Sequence, residues 1–103
     1  MVLVDTSVWV SHFKIGNEKL KELLRDGQAY CHPFIIGELA CGQFKHRKEI
    51  MHLLLDLPKA AIAEDREVLS FIESHQLCGL GIGWVDVHLL ASALLSKLFL
   101  WTF

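Results

Sequence analysis

Apolar and polar positions alternate in blocks along the chain. Val2, Leu3 and Val4 form a short uninterrupted apolar run closed by Asp5-Thr6-Ser7, the pattern of a buried strand. Thr6 or Ser7 can cap the short helix that follows, which carries Val8, Trp9 and Phe13 and breaks at Gly16-Asn17. A second helix places Leu20, Leu23 and Leu24 on one face and Glu18, Lys19, Lys21, Glu22 and Arg25 on the other. Asp26-Gly27 ends it, and Gln28 to Cys31 reads as a second strand. Pro33 in a first turn opens a third helix that is expected to run to about Phe44, with Glu38 inside it. Lys45-His46-Arg47-Lys48 leads a fourth helix with Ile50, Leu53, Leu54 and Leu57 on its apolar face, stopped by Pro58. Ala60 to Ala63 reads as a weak third strand, and Glu64 to His75 as a fifth helix. Gly79 to Gly83 reads as a loop, Trp84 to about Leu95 as a sixth helix, and Leu98 to Trp101 as a fourth strand.

Short apolar strands alternating with helices indicate an α/β fold built on a mainly parallel sheet covered on both faces. A length of 103 residues fits a single domain spanning residues 1–103. In such sheets ligands gather beyond the carboxyl ends of the strands, where the strand order reverses, and this places Asp5 at the crevice. The closing Phe99-Leu100-Trp101-Thr102-Phe103 is almost entirely apolar, so an exposed sheet edge is expected there.

Composition narrows the classes. Apolar residues make up 52% and charged residues 21%, which sets disorder aside. Asp5 interrupts the first apolar run, so no secretory signal is expected. The run Leu89 to Leu95 is too short, and too closely flanked by Asp86, His88, Ser96 and Lys97, to cross a bilayer. Cys31, Cys41 and Cys78 form no C-x-x-C pair, and the six histidines form no H-x-x-x-H pair. A cytoplasmic protein with reduced cysteines and no membrane association is the expectation. The net charge of −2 offers no global basic excess for nucleic acid, so a local patch such as Lys45-His46-Arg47-Lys48 or a bound metal would have to supply it. No G-x-x-x-x-G-K-[ST] motif occurs, which removes P-loop nucleotide hydrolysis.

Three acids stand in apolar surroundings: Asp5 after its strand, Glu38 in Phe34-Ile35-Ile36-Gly37-Glu38-Leu39-Ala40, and Asp86 in Gly83-Trp84-Val85-Asp86-Val87. Taken singly, Asp5 can be a helix N-cap and Asp86 a favourable first-turn carboxylate. Glu38 lies mid-helix, where no cap is needed, and nearby sequence offers it no obvious cationic partner. Brought together, two carboxylates about 5 Å apart repel by ~3 kcal/mol at an effective dielectric near 20. A cation would relieve that repulsion, and an all-oxygen cluster suits Mg²⁺ or Mn²⁺. Such a centre lowers the pKa of bound water and clamps phosphate oxygens, as phosphodiester hydrolysis requires. Thr6 or Ser7 can position a phosphate or water beside it.

The opening Val2-Leu3-Val4-Asp5-Thr6-Ser7-Val8-Trp9, the segment Ile36 to Ala40, the segment Trp84 to Ala93 and the closing Leu100-Trp101-Thr102 together resemble the PIN-domain ribonucleases of the VapC toxin type. The resemblance is ordered and runs over essentially the whole chain. It implies a three-layer α/β/α sandwich and a Mg²⁺- or Mn²⁺-dependent endoribonuclease. It further implies an enzyme restrained by a cognate VapB-like antitoxin and assembled as a homodimer. By position, Asp5, Glu38 and Asp86 match the family's metal-site acids, and Thr6 or Ser7 its hydroxyl. The family carries a fourth acid two residues after the Trp-Thr pair, then a helix and often a last strand. Phe103 falls just short of it, and Ser11 stands where many relatives carry an acid. The resemblance therefore also implies a C-terminally short PIN-like domain. The alternative it leaves is a catalytically impaired binding module that dimerises or binds an antitoxin. Haloacid-dehalogenase phosphohydrolases also open strand-Asp, but they place a second Asp where Ser7 stands.

Overall fold

A computed structural model describes every residue from Met1 to Phe103. The chain runs β1 (Val2–Val4), α1 (Thr6–Ile15), α2 (Glu18–Arg25), β2 (Ala29–Tyr30), α3 (Pro33–Ala40), α4 (Arg47–Asp56), α5 (Asp65–Ser74), α6 (Trp84–Ser96) and β3 (Phe99–Trp101). The three strands form one parallel sheet in the order β2-β1-β3, flanked by the six helices. Val2 pairs with Ala29 on one side and Phe99 on the other, and Val4 pairs with Trp101. Strand β1 is thus central, which explains why its residues are apolar without alternation: Leu3 and Val4 are both fully buried.

The core gathers on that strand. Leu3, Val4, Val8, Trp9, Leu20, Ile35, Leu39, Leu54 and Leu89 belong to one buried cluster. Trp9 is the largest of its members, and its indole Nε1–H donates to the Val4 carbonyl at 3.1 Å, so the ring is buried without leaving a donor unpaired. A smaller cluster of Ala63, Val68, Val87 and Ala91 joins α5 to α6. Helix α6 buries Val87 and Ala91 on one side and Leu89 and Ala93 on another, the all-round apolar character of an interior helix.

Local chemistry sets the helix ends. Asn17 caps α2 by accepting from the Leu20 N–H, and Pro33 sits at the start of α3 behind His32, whose ring accepts from the Phe34 N–H. Glu64 and Glu67 form a reciprocal capping box at α5.

Two expectations change. Ala60 to Ala63 is not a strand: a single bridge joins Cys31 to Lys59, and Ala60 N–H donates to the Cys31 carbonyl before the chain leaves the sheet. Pro58 and the run of small alanines give this stretch neither a continuous set of donors nor side chains that pack a pleat. The sheet therefore has three strands. Helix α3 also ends at Ala40 rather than near Phe44. Arg47 folds back to donate its Nε to the Gly42 carbonyl and its guanidinium to the Ala40 carbonyl, satisfying groups that a longer helix would have used internally.

Candidate functional site

At the carboxyl end of β1 the backbone of Asp5 is still tied to the sheet, its N–H donating to the Trp101 carbonyl at 2.9 Å. Asp5 occupies the N-cap position of α1, yet its carboxylate makes no capping bond. Instead Oδ2 accepts from the Thr102 hydroxyl at 2.7 Å and from the Ser7 hydroxyl at 3.3 Å. Ser7 Oγ in turn accepts from the Phe103 N–H at 3.1 Å, which locks the segment after β3 against the start of α1. Reading Asp5 as a simple cap is thereby set aside; its carboxylate is oriented by two hydroxyls from opposite sides of the strand pair.

Asp86 comes from the first turn of α6, where the helix dipole favours a carboxylate. With Asp5 it lines a cleft of about 360 Å³ that Ser7, Ile82, Leu100 and Thr102 also line. Gly83 is the N-cap of α6, and a Cβ added there would lie 3.9 Å from Asp86 Oδ2. Glu38 does not line this cleft; on α3 it is tied to the start of α1 by Thr6, whose hydroxyl donates to Oε1 at 2.7 Å. Sequence reasoning left Thr6 and Ser7 interchangeable; the geometry divides them, Thr6 serving Glu38 and Ser7 serving Asp5. Thr102 was not singled out by residue type. Its signal was positional: it follows β3 as Asp5 follows β1, at the carboxyl edge where parallel sheets collect ligands.

The donor set suits a hard divalent cation in kind. Asp5 Oδ1, Glu38 Oε2 and both Asp86 oxygens take no hydrogen bond from the protein, and none of the molecule's ion pairs involves these acids. In number the site is more open. No three His, Cys, Asp or Glu side chains are drawn together closely enough to ligate one ion. The presence of Asp5 and Asp86 in the lining of one cleft fits Mg²⁺ or Mn²⁺, which is commonly held by one or two carboxylates with water completing the shell.

Behind the acids lies a buried polar layer joining the helices that carry them. His32 and Ser92 are both fully buried, with His32 Nε2 3.1 Å from Ser92 Oγ. Because Nδ1 accepts from the Phe34 N–H, the neutral ring carries its proton on Nε2 and donates it to Ser92. His88 is buried beside them, edge-on to Phe34 and Trp84. Its Nε2 comes within 3.2 Å of Asp65 Oδ1, but the approach is off-line and both ring nitrogens lack a hydrogen bond. Burial, and secondarily the neighbouring His88, hold the His32 pKa below the usual histidine range.

A parallel α/β sheet with acids from the end of its central strand and from two flanking helices defines the class. The chain matches the PIN-domain family over residues 2–103 and belongs to it. It is 44% identical over 103 residues to Ribonuclease VapC32 of Mycobacterium tuberculosis strain CDC 1551 / Oshkosh, and equally to Ribonuclease VapC32 of strain ATCC 25618 / H37Rv. Each alignment covers 99% of this chain and 83% of the relative. No helix of the structure is long and apolar enough to cross a membrane.

Proposed function

We propose that this protein is a Mg²⁺- or Mn²⁺-dependent endoribonuclease of the toxin type. Asp5, Glu38 and Asp86 would hold the ion, and RNA phosphodiester bonds would be cut beside them. The observation that carries the reading is that Asp5 and Asp86 line one cleft, with Glu38 tethered to the start of α1 beside Asp5 through Thr6. The likeness to a ribonuclease over nearly the whole chain supports the substrate class.

Each residue then has a task. The Thr102 and Ser7 hydroxyls spend Oδ2 of Asp5 on orientation and leave Oδ1 for the cleft. Thr6 does the same for Glu38, leaving Oε2 free. Asp86 stands in the first turn of α6 and lines the cleft beside Asp5. Leu100, Leu89 and Ile82 form the apolar wall of the cleft, which strengthens electrostatic interactions within it. When bound, the ion supplies Lewis-acid polarisation of the phosphate and a water of lowered pKa. The single domain of residues 1–103 acts in the cytoplasm, as a homodimer restrained by a cognate VapB-like antitoxin.

Cleavage of a mixed RNA substrate by the purified chain tests this, with Mg²⁺, with Mn²⁺ and with EDTA, alongside Asp5→Asn. Asparagine keeps the shape and removes the charge, so cleavage should fall by at least about 100-fold while the fold persists. Undiminished cleavage in EDTA or in folded Asp5→Asn would refute the proposal.

A further inference from the structure

A second feature adjoins the acids and takes no part in holding them. Helix α1 carries Thr6 at its start, then Val10, Phe13 and Lys14 one and two turns further along. Helix α3 carries Glu38 and then Leu39, and the segment after it carries Phe44 and Lys45. Because α3 stops early at Ala40, Phe44 is free to leave the helical path and stack on Phe13, the ring centroids 4.6 Å apart and the planes 16° from parallel. Between the two elements lies a groove of about 350 Å³, with Val10, Phe13, Leu39 and Phe44 as its walls and Lys14 and Lys45 at its mouth.

Three observations fix the chemistry of an occupant. First, the groove has no acid in its lining, although the chain as a whole is acidic. Second, its two ammonium groups are exposed and make neither an ion pair nor a hydrogen bond. Arg47 and Lys59 are consumed in capping backbone carbonyls, and Lys21 and Arg66 are paired with glutamates. Lys19, Arg25, Lys48 and Lys97 are also free, so the groove lysines are set apart by the stacked aromatic wall they border. Third, eight residues of helix separate Thr6 from Lys14, about 12 Å, a span of a few nucleotides. Free cations beside a stacked aromatic wall suit a single-stranded polyanion with flat bases, in which phosphates meet the lysines and a base lies against the rings.

We propose that the groove between α1 and the segment following α3 holds the RNA strand that flanks the scissile bond, with Lys14 and Lys45 on phosphates and the Phe13–Phe44 pair supporting a base. This rests on the ribonuclease reading and extends it: the site cleaves, and the groove holds the flanking single strand.

Fluorescence anisotropy of a labelled single-stranded RNA, titrated in EDTA at several salt concentrations, tests it. The proteins compared are wild type, Lys14→Ala/Lys45→Ala, Phe44→Leu, and Lys19→Ala/Arg25→Ala as a control on exposed cations of α2, with circular dichroism checking the fold of each. Each phosphate contact on a single strand contributes about 0.7 to the slope of log affinity against log salt, so the double lysine variant should lose about 1.4 of that slope. It should also bind at least about fivefold more weakly at low salt. Phe44→Leu should weaken binding about fivefold or more without changing the slope, and the α2 control should match wild type. Wild-type affinity and slope in the double lysine variant would overturn the assignment and leave the groove to a protein partner. If wild type neither binds the probe in EDTA nor cuts RNA with Mg²⁺, the ribonuclease reading fails together with it, whereas wild-type binding that the lysine variant leaves unchanged fails the groove alone.

Discussion

Ser92→Ala is the most informative single change away from the acids. His32 and Ser92 are fully buried, and their bond joins the start of α3, which carries Glu38, to the middle of α6, which carries Asp86. The ring cannot adapt when the hydroxyl is removed, because its Nδ1 is committed to the Phe34 N–H and its Nε2–H has no second acceptor. A buried donor left unsatisfied costs about 1–3 kcal/mol. Alanine recovers at most about 0.5 kcal/mol through its better helix propensity. The net loss is then about 0.5–2.5 kcal/mol, and in a domain of this size each kcal/mol lowers Tm by about 4–8 °C. Urea and thermal unfolding followed by circular dichroism read both quantities. A cycle through His32→Leu and the double variant isolates the pair, since removing both partners removes the orphaned donor. A loss below about 0.5 kcal/mol in Ser92→Ala, or additive effects in the cycle, would show that the contact carries no energy and that the two helices are held by packing alone.

Three further outcomes are expected. Burial, then His88, lowers the pKa of His32; burial, then Lys21, lowers that of His12 against an opposing pull from Glu18. The unfolded chain therefore takes up these protons first, near pH ~6.5, so stability should be complete above that pH and decline as pH falls through it; urea midpoints flat from about pH 8 to about pH 5 would contradict this. Thr6→Val should leave stability within about 0.5 kcal/mol, the bond being exposed, while lowering RNA cleavage about tenfold through a loosened Glu38, with Thr6→Ser restoring it. In the native protein a thiol reagent should modify Cys41 and Cys78 rapidly and spare Cys31, whose thiol pKa is pushed up by burial; three equal rates would refute the buried placement.

The candidate acids stand out in the sequence because they contradict their neighbours. A charge next to Val4, or between Gly37 and Leu39, breaks a strong apolar pattern, and such breaks are where function overrides packing. The central strand was legible for the complementary reason, its run being too apolar to face water on either side. What escaped notice depends on contacts distant in sequence. Ala60 to Ala63 is apolar enough to suggest a strand, but its small side chains pack no pleat and pairing stops after Lys59. Thr102 is an ordinary hydroxyl until β3 lies beside β1. The early end of α3 turns on Arg47 reaching back across its own loop, an interaction that no local propensity encodes.

The pairing of β1 with β3 also has a consequence for how the protein is made. Strand β1 is made long before β3, so it cannot complete its ladder until residues 99–101 have been synthesised, and the Thr102 hydroxyl reaches Asp5 across 97 residues. Closing so long a loop is entropically costly and slow, so contacts of this separation form late in folding. Asp5 accordingly stays unoriented, and its cleft unbuilt, until β3 has docked beside β1.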